Sequence, residues 1–269
     1  MSELIIGIDR GASFTDFVVV QNKSIVDHLS IETRNWSEIE RALNKIRKMN
    51  PTRHVAVSGA SADMPSKLKD QVVDVPEIES IGLGGAALAG CRKCLVVSMG
   101  TGSAMVHVEH QAITHVGGSA VGGGTIRGLA KLLCGVDDAL EVEQLALKGS
   151  AARMNLTIGD LGLADLSFLP ADATVSNFAN IKSESVEDKA AGILSLVAET
   201  IGIMASLCAR HAGCSDSIVA VGKVAANQHI RETLARVGEL YQTKFLHPEF
   251  PGYATAYGAT IKYMDLHEI

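Results

Sequence analysis

The chain has 269 residues, of which 47% are hydrophobic and 20% are charged, and its formal net charge at pH 7 is −6. This length is enough for a large core or for two lobes that share one cleft. The 24 Lys and Arg residues are scattered and are outnumbered by 30 Asp and Glu residues, which argues against nucleic acid as a partner.

The sequence does not predict a targeting signal or a membrane span. Residues 1–9 lack the basic region, the long apolar stretch and the cleavage site of a signal peptide. The apolar stretches are expected to be interrupted before they reach membrane-spanning length. We therefore expect a cytoplasmic protein that does not bind a membrane. Cys91 and Cys94 have CxxC spacing with no second pair close by, which favours structural cysteines over a zinc site or a redox pair.

The N-terminal third predicts a hairpin followed by alternating helices and strands. Apolar runs bounded by turns predict the strands 4–9, 14–21, 24–31, 54–58 and 72–75. A capping-box spacing at Ser37 and Glu40 predicts the start of a helix that ends near Met49. Residues 78–90 predict a second helix, made of small residues.

The same pattern of strand, small polar turn and strand returns about 90 residues later. It consists of strand 94–99, turn 100–103 and strand 104–109. Further on, the predicted elements are helices 185–211, 227–237 and 254–264 and strands 218–221 and 245–246. Such alternation is typical of a mixed α/β fold. Two sheets that each begin with such a hairpin can face each other, with both turns in one cleft.

A glycine-rich run, residues 115–129, contains six of the 26 glycines and leads into an apolar helix. Glycine at this density is typical of unusual backbone angles or of close approach by a ligand. A glycine loop that opens a helix also exposes N–H groups that suit a phosphate. A flexible surface loop is the alternative, but the two small-residue turns, 10–13 and 100–103, favour a phosphate site.

Two carboxylates are candidates for the chemistry. Asp9 ends the first strand beside Gly11 to Ser13, where it can hold a metal-bound water; a plain Asx turn is the alternative. Glu77 follows a strand and can accept a proton from a hydroxyl group. Glu79 competes for that role, and both acids also suit the first turn of a helix.

In the order of these motifs, the chain resembles the superfamily of acetate kinase, sugar kinases, Hsp70 and actin, and more narrowly the bacterial type II pantothenate kinases. The resemblance covers nearly the whole chain and is carried by segments 7–9, 77–84, 100–103, 116–129, 156–160, 173–178, 218–222 and 257–259. It implies a duplicated ribonuclease-H-like α/β fold (the actin-like ATPase fold) with lobes 1–90 and 91–269 around a nucleotide cleft. It further implies a homodimer that uses ATP and Mg²⁺ to phosphorylate the hydroxyl of pantothenate, the first step of coenzyme A biosynthesis.

The resemblance also implies roles for individual residues. Asp9 matches the aspartate near the metal and the γ-phosphate, and Glu77 matches the carboxylate that takes the proton of the substrate hydroxyl. Nucleotide contacts are implied at Gly11, Ser13, Gly100, Thr101, Gly102, Gly122, Gly123, Gly124 and, on the adenosine side, Gly222. Substrate contacts are implied at His115, Gly117 and Gly118.

Three residues depart from the pattern of these kinases. Arg10 is expected to place a bulky cation beside the first phosphate turn, and Asp16 stands where the family has a lysine. His115 replaces an arginine that contacts the acidic substrate, and imidazole lacks the bidentate fork that suits a carboxylate. Two alternatives therefore remain open: a nucleotide-binding regulator or pseudokinase, and a kinase for a different hydroxy acid or a polyol.

Overall fold

Two five-stranded mixed sheets form the frame of the molecule. The computed structural model describes residues 3–33, 35–59, 64–163 and 169–268. The first sheet contains β1 (Ile5–Arg10), β2 (Thr15–Gln21), β3 (Ser24–Ile31), β4 (His54–Gly59) and β5 (Val73–Val75). The second contains β6 (Lys93–Met99), β7 (Ser103–Glu109), β8 (Ala112–Ser119), β11 (Ile218–Val221) and β12 (Phe245–Leu246). A small hairpin pairs β9 (Leu156–Thr157) with β10 (Thr174–Ser176).

Helices cover both faces of each large sheet. In chain order they are α1 (Trp36–Met49), α2 (Ser66–Lys69), α3 (Glu77–Ala89), α4 (Gly123–Cys134), α5 (Ala139–Ala146), α6 (Val186–His211), α7 (Gln228–Tyr241) and α8 (Ala254–His267). Helix α1 begins differently from the prediction: Asn35 caps it and accepts a hydrogen bond of 2.9 Å from the Ser37 N–H, instead of a capping box at Ser37 and Glu40.

The two sheets have the same topology. Their strand orders are β3-β2-β1-β4-β5 and β8-β7-β6-β11-β12. In each sheet the first three strands form an antiparallel meander, and the remaining two run parallel to the first strand of that meander. The predicted duplicated ribonuclease-H-like α/β fold is therefore confirmed, and the hairpin turns of the two repeats occupy equivalent positions.

Helices α3 and α8 lie between the sheets, each on the sheet of the other repeat. Helix α3 follows β5, yet it packs with Val96 and Val106 of the second sheet. Helix α8 follows β12, yet it packs with Ile5 and Ala56 of the first sheet. The predicted lobe boundary between residues 90 and 91 falls after α3, so α8 returns to the first sheet from beyond that boundary. Helices α1 and α6 cover the outer faces.

Helix α6 forms the outer layer of the second sheet's core. It is long and apolar enough, by length and composition, to cross a membrane, so the expectation that no apolar stretch reaches that length is wrong here. Most of its apolar surface is buried against β6, β7 and the helices α4, α5 and α7. We therefore interpret it as a core helix.

Helices α3 and α8 cross where a glycine of one meets a glycine of the other. A Cβ built on Gly84 would overlap the Ala254 carbonyl, and one on Gly258 would overlap the Ser80 carbonyl. Small residues at a crossing let two backbones approach more closely than any side chain allows. The distance between the two sheets therefore depends on the absence of side chains at these two positions.

We predict that Gly84→Ala lowers the free energy of unfolding by about 1–3 kcal/mol, because the added methyl group must push α8 away. Gly128→Ala is the matched control, since Gly128 lies in α4 with open space around its Cα. That variant should be more stable by about 0.5–1 kcal/mol from helix propensity alone. Urea unfolding measures both; equal stabilities for Gly84→Ala and the wild type would refute the close crossing.

Candidate active site

Three small-residue turns from distant parts of the chain lie together at one end of the sheets. The turn after β1 holds Gly11 and Ser13, and the Ser13 hydroxyl lies 3.1 Å from that of Thr101, in the turn between β6 and β7. Gly222 ends β11 with a φ of +91°, and a Cβ there would overlap the backbone of Met99. The structure thus brings together the predicted phosphate turns of both repeats.

The start of α4 packs on the turn between β6 and β7. The N–H groups of Gly123 and Gly124 donate hydrogen bonds of 2.7 and 2.9 Å to the Gly100 and Thr101 carbonyls. A Cβ on Gly122 would crowd the carbonyl oxygens of all three residues in the range 100–102. These two amides are therefore engaged in backbone hydrogen bonds, and part of the glycine density reflects the packing of one turn on another.

The first part of the glycine run belongs to the edge strand β8, which the sequence analysis did not predict. The β7–β8 ladder shifts register between Met105 and Val106, and this shift leaves Val116 as a bulge. On the hairpin side of the bulge, His115 pairs with Val106 and shares its face, the face covered by α3. The bulge changes the pairing of the residues that follow it: Gly117 pairs with Met105, whereas the hairpin register without a bulge would pair it with Ala104.

Gly117 and Gly118 follow the bulge in β8. A Cβ on Gly118 would overlap the Ser103 carbonyl of β7, so this position also needs glycine for a backbone contact. His115 itself is exposed on the edge strand. The three predicted substrate residues therefore lie together along β8, on the strand that leads into the predicted nucleotide turns.

Asp9 lies at the end of β1 in a row of polar side chains that crosses the first sheet. It pairs directly with Asp16 of β2, which in turn pairs with Ser30 of β3. Cross-strand partners share one face, so the two carboxylates face each other at short range. Asp9 and Asp16 lie on the α8 face, since Gly7, two residues before Asp9, contacts Ala256 of α8.

Asp9 holds its proton unusually strongly. Burial is the largest cause, and the negative charges of Asp16 and Glu77 add to it, so that its pKa is raised to about 7. Lys223 and the hydroxyl of Thr255, at the start of α8, act in the opposite direction. The carboxylate is thus placed where a bound cation would favour its ionised form.

The structure separates the two acids at the start of α3. Glu79 forms an ion pair of 2.7 Å with Lys262 of α8. Glu77 is the first helical residue, is exposed, and lies close enough to Asp9 to raise its pKa. The geometry therefore favours Glu77 as the acid that faces the site.

Arg10 does not enter this site, contrary to expectation. Alternation along β1 turns its side chain to the face opposite Asp9, where it is buried and its guanidinium lies 4.7 Å from the centre of the Trp36 ring. The cation that faces the polar row is Lys223, which follows Gly222 after β11. Its ammonium pairs with Asp16 and lies 2.9 Å from the Ser30 hydroxyl.

The donor set suits Mg²⁺ that binds together with phosphates. Within the described residues, no three His, Cys, Asp or Glu side chains come together to hold a metal ion by themselves. Mg²⁺ usually takes one or two carboxylates and completes its shell with water and substrate phosphates. Asp9, facing a second carboxylate, fits that requirement; when bound, the ion would neutralise phosphate charge.

The two CxxC cysteines do not form a second site. Cys91 precedes β6 and Cys94 is buried within it, and both are free thiols. Burial raises the pKa of Cys94 to about 12, so its reactive thiolate form is scarce at neutral pH.

Solved structures with this arrangement define the class of the fold. Component A of the (R)-2-hydroxyglutaryl-CoA dehydratase of Acidaminococcus fermentans has a TM-score of 0.71 at 16% identity, over 99% of this chain and 100% of that chain. The activator of the 2-hydroxyisocaproyl-CoA dehydratase from Clostridium difficile, with bound ADPNP, has a TM-score of 0.70 at 19% identity, over 98% and 96%. A ROK family glucokinase from Streptomyces griseus, in complex with glucose and AMPPNP, has a TM-score of 0.65 at 14% identity, over 96% and 98%. The protein therefore has the fold of the actin-like ATPases and ROK kinases.

The family follows from the sequence comparison. The Fumble family model matches residues 92–262, more than half of the chain, and the protein belongs to the Fumble family. The type II pantothenate kinase of Bacillus anthracis is 24% identical over 254 residues, which cover 90% of this chain and 91% of that kinase. That of Oceanobacillus iheyensis is 23% identical over 267 residues, covering 95% and 98%. The predicted resemblance to these phosphotransferases with an alcohol acceptor is confirmed.

We predict that Asp9 makes stability depend on pH when neither nucleotide nor divalent cation is present. A carboxyl group whose pKa is raised in the folded state binds protons more tightly there than in the unfolded chain. Its contribution to the free energy of unfolding therefore falls as the pH rises from about 4 to about 7. Asp9→Asn removes this dependence.

The free energy of unfolding of Asp9→Asn minus that of the wild type should thus increase between pH 5 and pH 8. We expect a change of about 1–3 kcal/mol, below the full value for such a shift because water reaches part of the carboxylate. Urea unfolding at several pH values measures it, and the difference cancels the contributions of titrating groups that do not interact with Asp9. A difference that is constant with pH would show that the pKa of Asp9 is normal.

Proposed function

We propose that this protein transfers the γ-phosphate of ATP to the hydroxyl of pantothenate. The observation that carries the proposal is that the predicted phosphate turns of the two repeats lie against each other, beside Asp9 and Glu77. Family membership and the type II pantothenate kinase relatives support the acceptor, and neighbours with bound ADPNP and AMPPNP support the donor. Phosphoryl transfer needs positioning and charge neutralisation, which such turns and one metal-binding carboxylate can supply.

In this proposal Asp9 would hold Mg²⁺, which would neutralise part of the phosphate charge. The small-residue turns that contain Gly11, Ser13 and residues 100–102 surround the phosphates, and Gly222 lies on the adenosine side. Glu77 takes the proton from the attacking hydroxyl. Its exposed position at the start of α3, near Asp9 and unpaired with Lys262, supports this role.

The acceptor is proposed to bind along β8, at His115, Gly117 and Gly118. The register of the β7–β8 hairpin supports this, since it pairs His115 with Val106 on the face that carries α3 and hence Glu77. A histidine can be neutral and can donate a single hydrogen bond where an arginine donates two. A different hydroxy acid or a polyol is therefore the second candidate substrate class, and substrate assays should include both.

We predict that Glu77→Gln lowers kcat about 10²–10⁴-fold and changes the Kd for ATP less than about twofold. The reason is that the variant loses a proton acceptor and keeps the nucleotide turns. Glu79→Gln is the matched control, since Glu79 lies in the same first turn and is engaged by Lys262, and it should retain most activity. Coupled ADP release measures turnover with pantothenate, other hydroxy acids and polyols.

The outcomes separate the candidates. Normal turnover by Glu77→Gln would refute the assigned base. Tight ATP binding by the wild type without turnover on any acceptor would favour the nucleotide-binding regulator over the kinase. The regulator is favoured by Asp16, which forms an ion pair with Lys223 and stands where the family has a lysine.

We further propose that the protein forms a homodimer through the second repeat. A leucine cluster is defined here as the exposed leucines of two helices that both pack on α6: Leu132 and Leu133 on α4, Leu140 on α5, and Leu147 directly after α5. Leu132 is 80% exposed, which is unfavourable for so apolar a side chain in water. A second copy of this surface can cover these side chains, as in two-fold symmetric dimers generally.

We predict that Leu132→Glu converts a dimer to a monomer, because a buried unpaired carboxylate opposes association. Leu266→Glu is the control, since Leu266 is exposed on α8, away from this cluster. Sedimentation velocity gives the masses of both variants and the wild type. A monomeric wild type, or a dimeric Leu132→Glu variant, would contradict this interface.

A further inference from the structure

Lys223 joins the two repeats at the candidate site. Its backbone follows Gly222 at the end of β11, but its ammonium group contacts the first sheet, where it pairs with buried Asp16 and lies 2.9 Å from the Ser30 hydroxyl. The ammonium also lies 4.9 Å from the ring centre of Phe14 and 5.5 Å from that of Tyr253. These contacts hold a long, flexible side chain in one place.

The backbone of Lys223 lies where the nucleotide turns meet. Gly222 packs directly on the backbone of Met99, the residue before the turn at 100–102. The next residue, Val224, packs closely on Gly123 at the start of α4. A Cβ built on Gly123 would lie only 3.1 Å from the Val224 side chain. The side chain therefore runs from the predicted phosphate turns of the second repeat to the row formed by Asp9, Asp16 and Ser30.

The candidate site has an excess of negatively charged side chains, and Lys223 offsets part of it. A polyphosphate placed here adds negative charge next to Asp9, Asp16 and Glu77, and the latter two already raise the proton affinity of Asp9. Arg10, the neighbour of Asp9 in the chain, points to the opposite face of the sheet. Lys223 is the basic side chain that acts on Asp9 in the described structure. An ammonium group is a point charge that suits phosphate oxygens.

We propose that Lys223 binds the polyphosphate of the nucleotide and that Asp16 positions its ammonium group for this contact. The proposal rests on the nucleotide site of the proposed function, but it needs neither pantothenate nor turnover. Asp16 and Ser30 keep the ammonium within reach of Asp9, and Mg²⁺ and Lys223 together neutralise the phosphates. The first repeat thus provides the anchor and the second repeat the cation.

The test is a comparison of ligands that differ in phosphate number. Lys223→Met by itself leaves the buried carboxylate of Asp16 without its cation, which can unfold the protein. The lysine is therefore also removed in the Asp16→Asn background, where that buried charge is gone. Lys223→Arg keeps the charge, and Lys93→Met is the control, since Lys93 pairs with Glu109 on the surface.

Isothermal titration calorimetry with adenosine and, in the presence of Mg²⁺, with ADP and ATP gives the Kd values. In the Asp16→Asn background the ammonium keeps its contacts with Ser30, Phe14 and Tyr253. Removal of Lys223 there should weaken ATP binding about 10-fold or more and adenosine binding less than about twofold. Lys223→Arg should retain most of the ATP affinity, and Lys93→Met should match the wild type. Equal losses for adenosine and ATP, or no loss for either, would overturn the proposal.

These results are distinguishable from failure of the proposed function. If the protein binds ATP through Lys223 but phosphorylates no acceptor, the kinase proposal fails and this one stands. If the protein phosphorylates pantothenate but its affinity for ATP does not change when Lys223 is removed, this proposal fails and the kinase proposal stands. A wild-type protein with no affinity for ATP would overturn both.

Discussion

The crossing of α3 and α8 is the contact on which the rest of the structure depends. Because glycine meets glycine there, the two backbones approach more closely than side chains would permit, and each helix can pack on the sheet of the other repeat. The N-terminal residues of both helices then reach the same region: Glu77 starts α3, and Thr255, in the first turn of α8, donates a hydrogen bond to Asp9. The site is therefore built by the packing that joins the repeats.

The opposition of Asp9 and Asp16 is the main electrostatic cost of this arrangement. Two carboxylates paired across neighbouring strands repel each other, and burial adds to the cost. Lys223 offsets part of it by pairing with Asp16 from the other repeat. Groups with strongly perturbed pKa values are common at functional sites, and this supports the proposal that Asp9 would hold Mg²⁺.

The glycine run shows how one sequence signal can have two physical causes. Gly122, Gly123 and Gly124 let the start of α4 pack on the carbonyl groups of the turn at 100–102, which needs no ligand at all. The residues before them form strand β8, which pairs with β7 and contains a bulge at Val116. Glycine density by itself indicated close backbone approach correctly, but it could not say whether the neighbour is a phosphate or another turn.

The sequence by itself determined the repeated hairpins, the strand and helix types, and the positions of Asp9, Glu77 and the small-residue turns, because apolar periodicity and turn chemistry are local properties. The motif order also indicated the kinase family. Tertiary structure alone decided which face each side chain takes and what it meets. Strand alternation turned Arg10 away, the register of the β7–β8 hairpin placed His115 on the α3 face, and a contact between residues more than 200 positions apart paired Lys223 with Asp16. Such choices depend on register and on distant packing, which no local pattern contains.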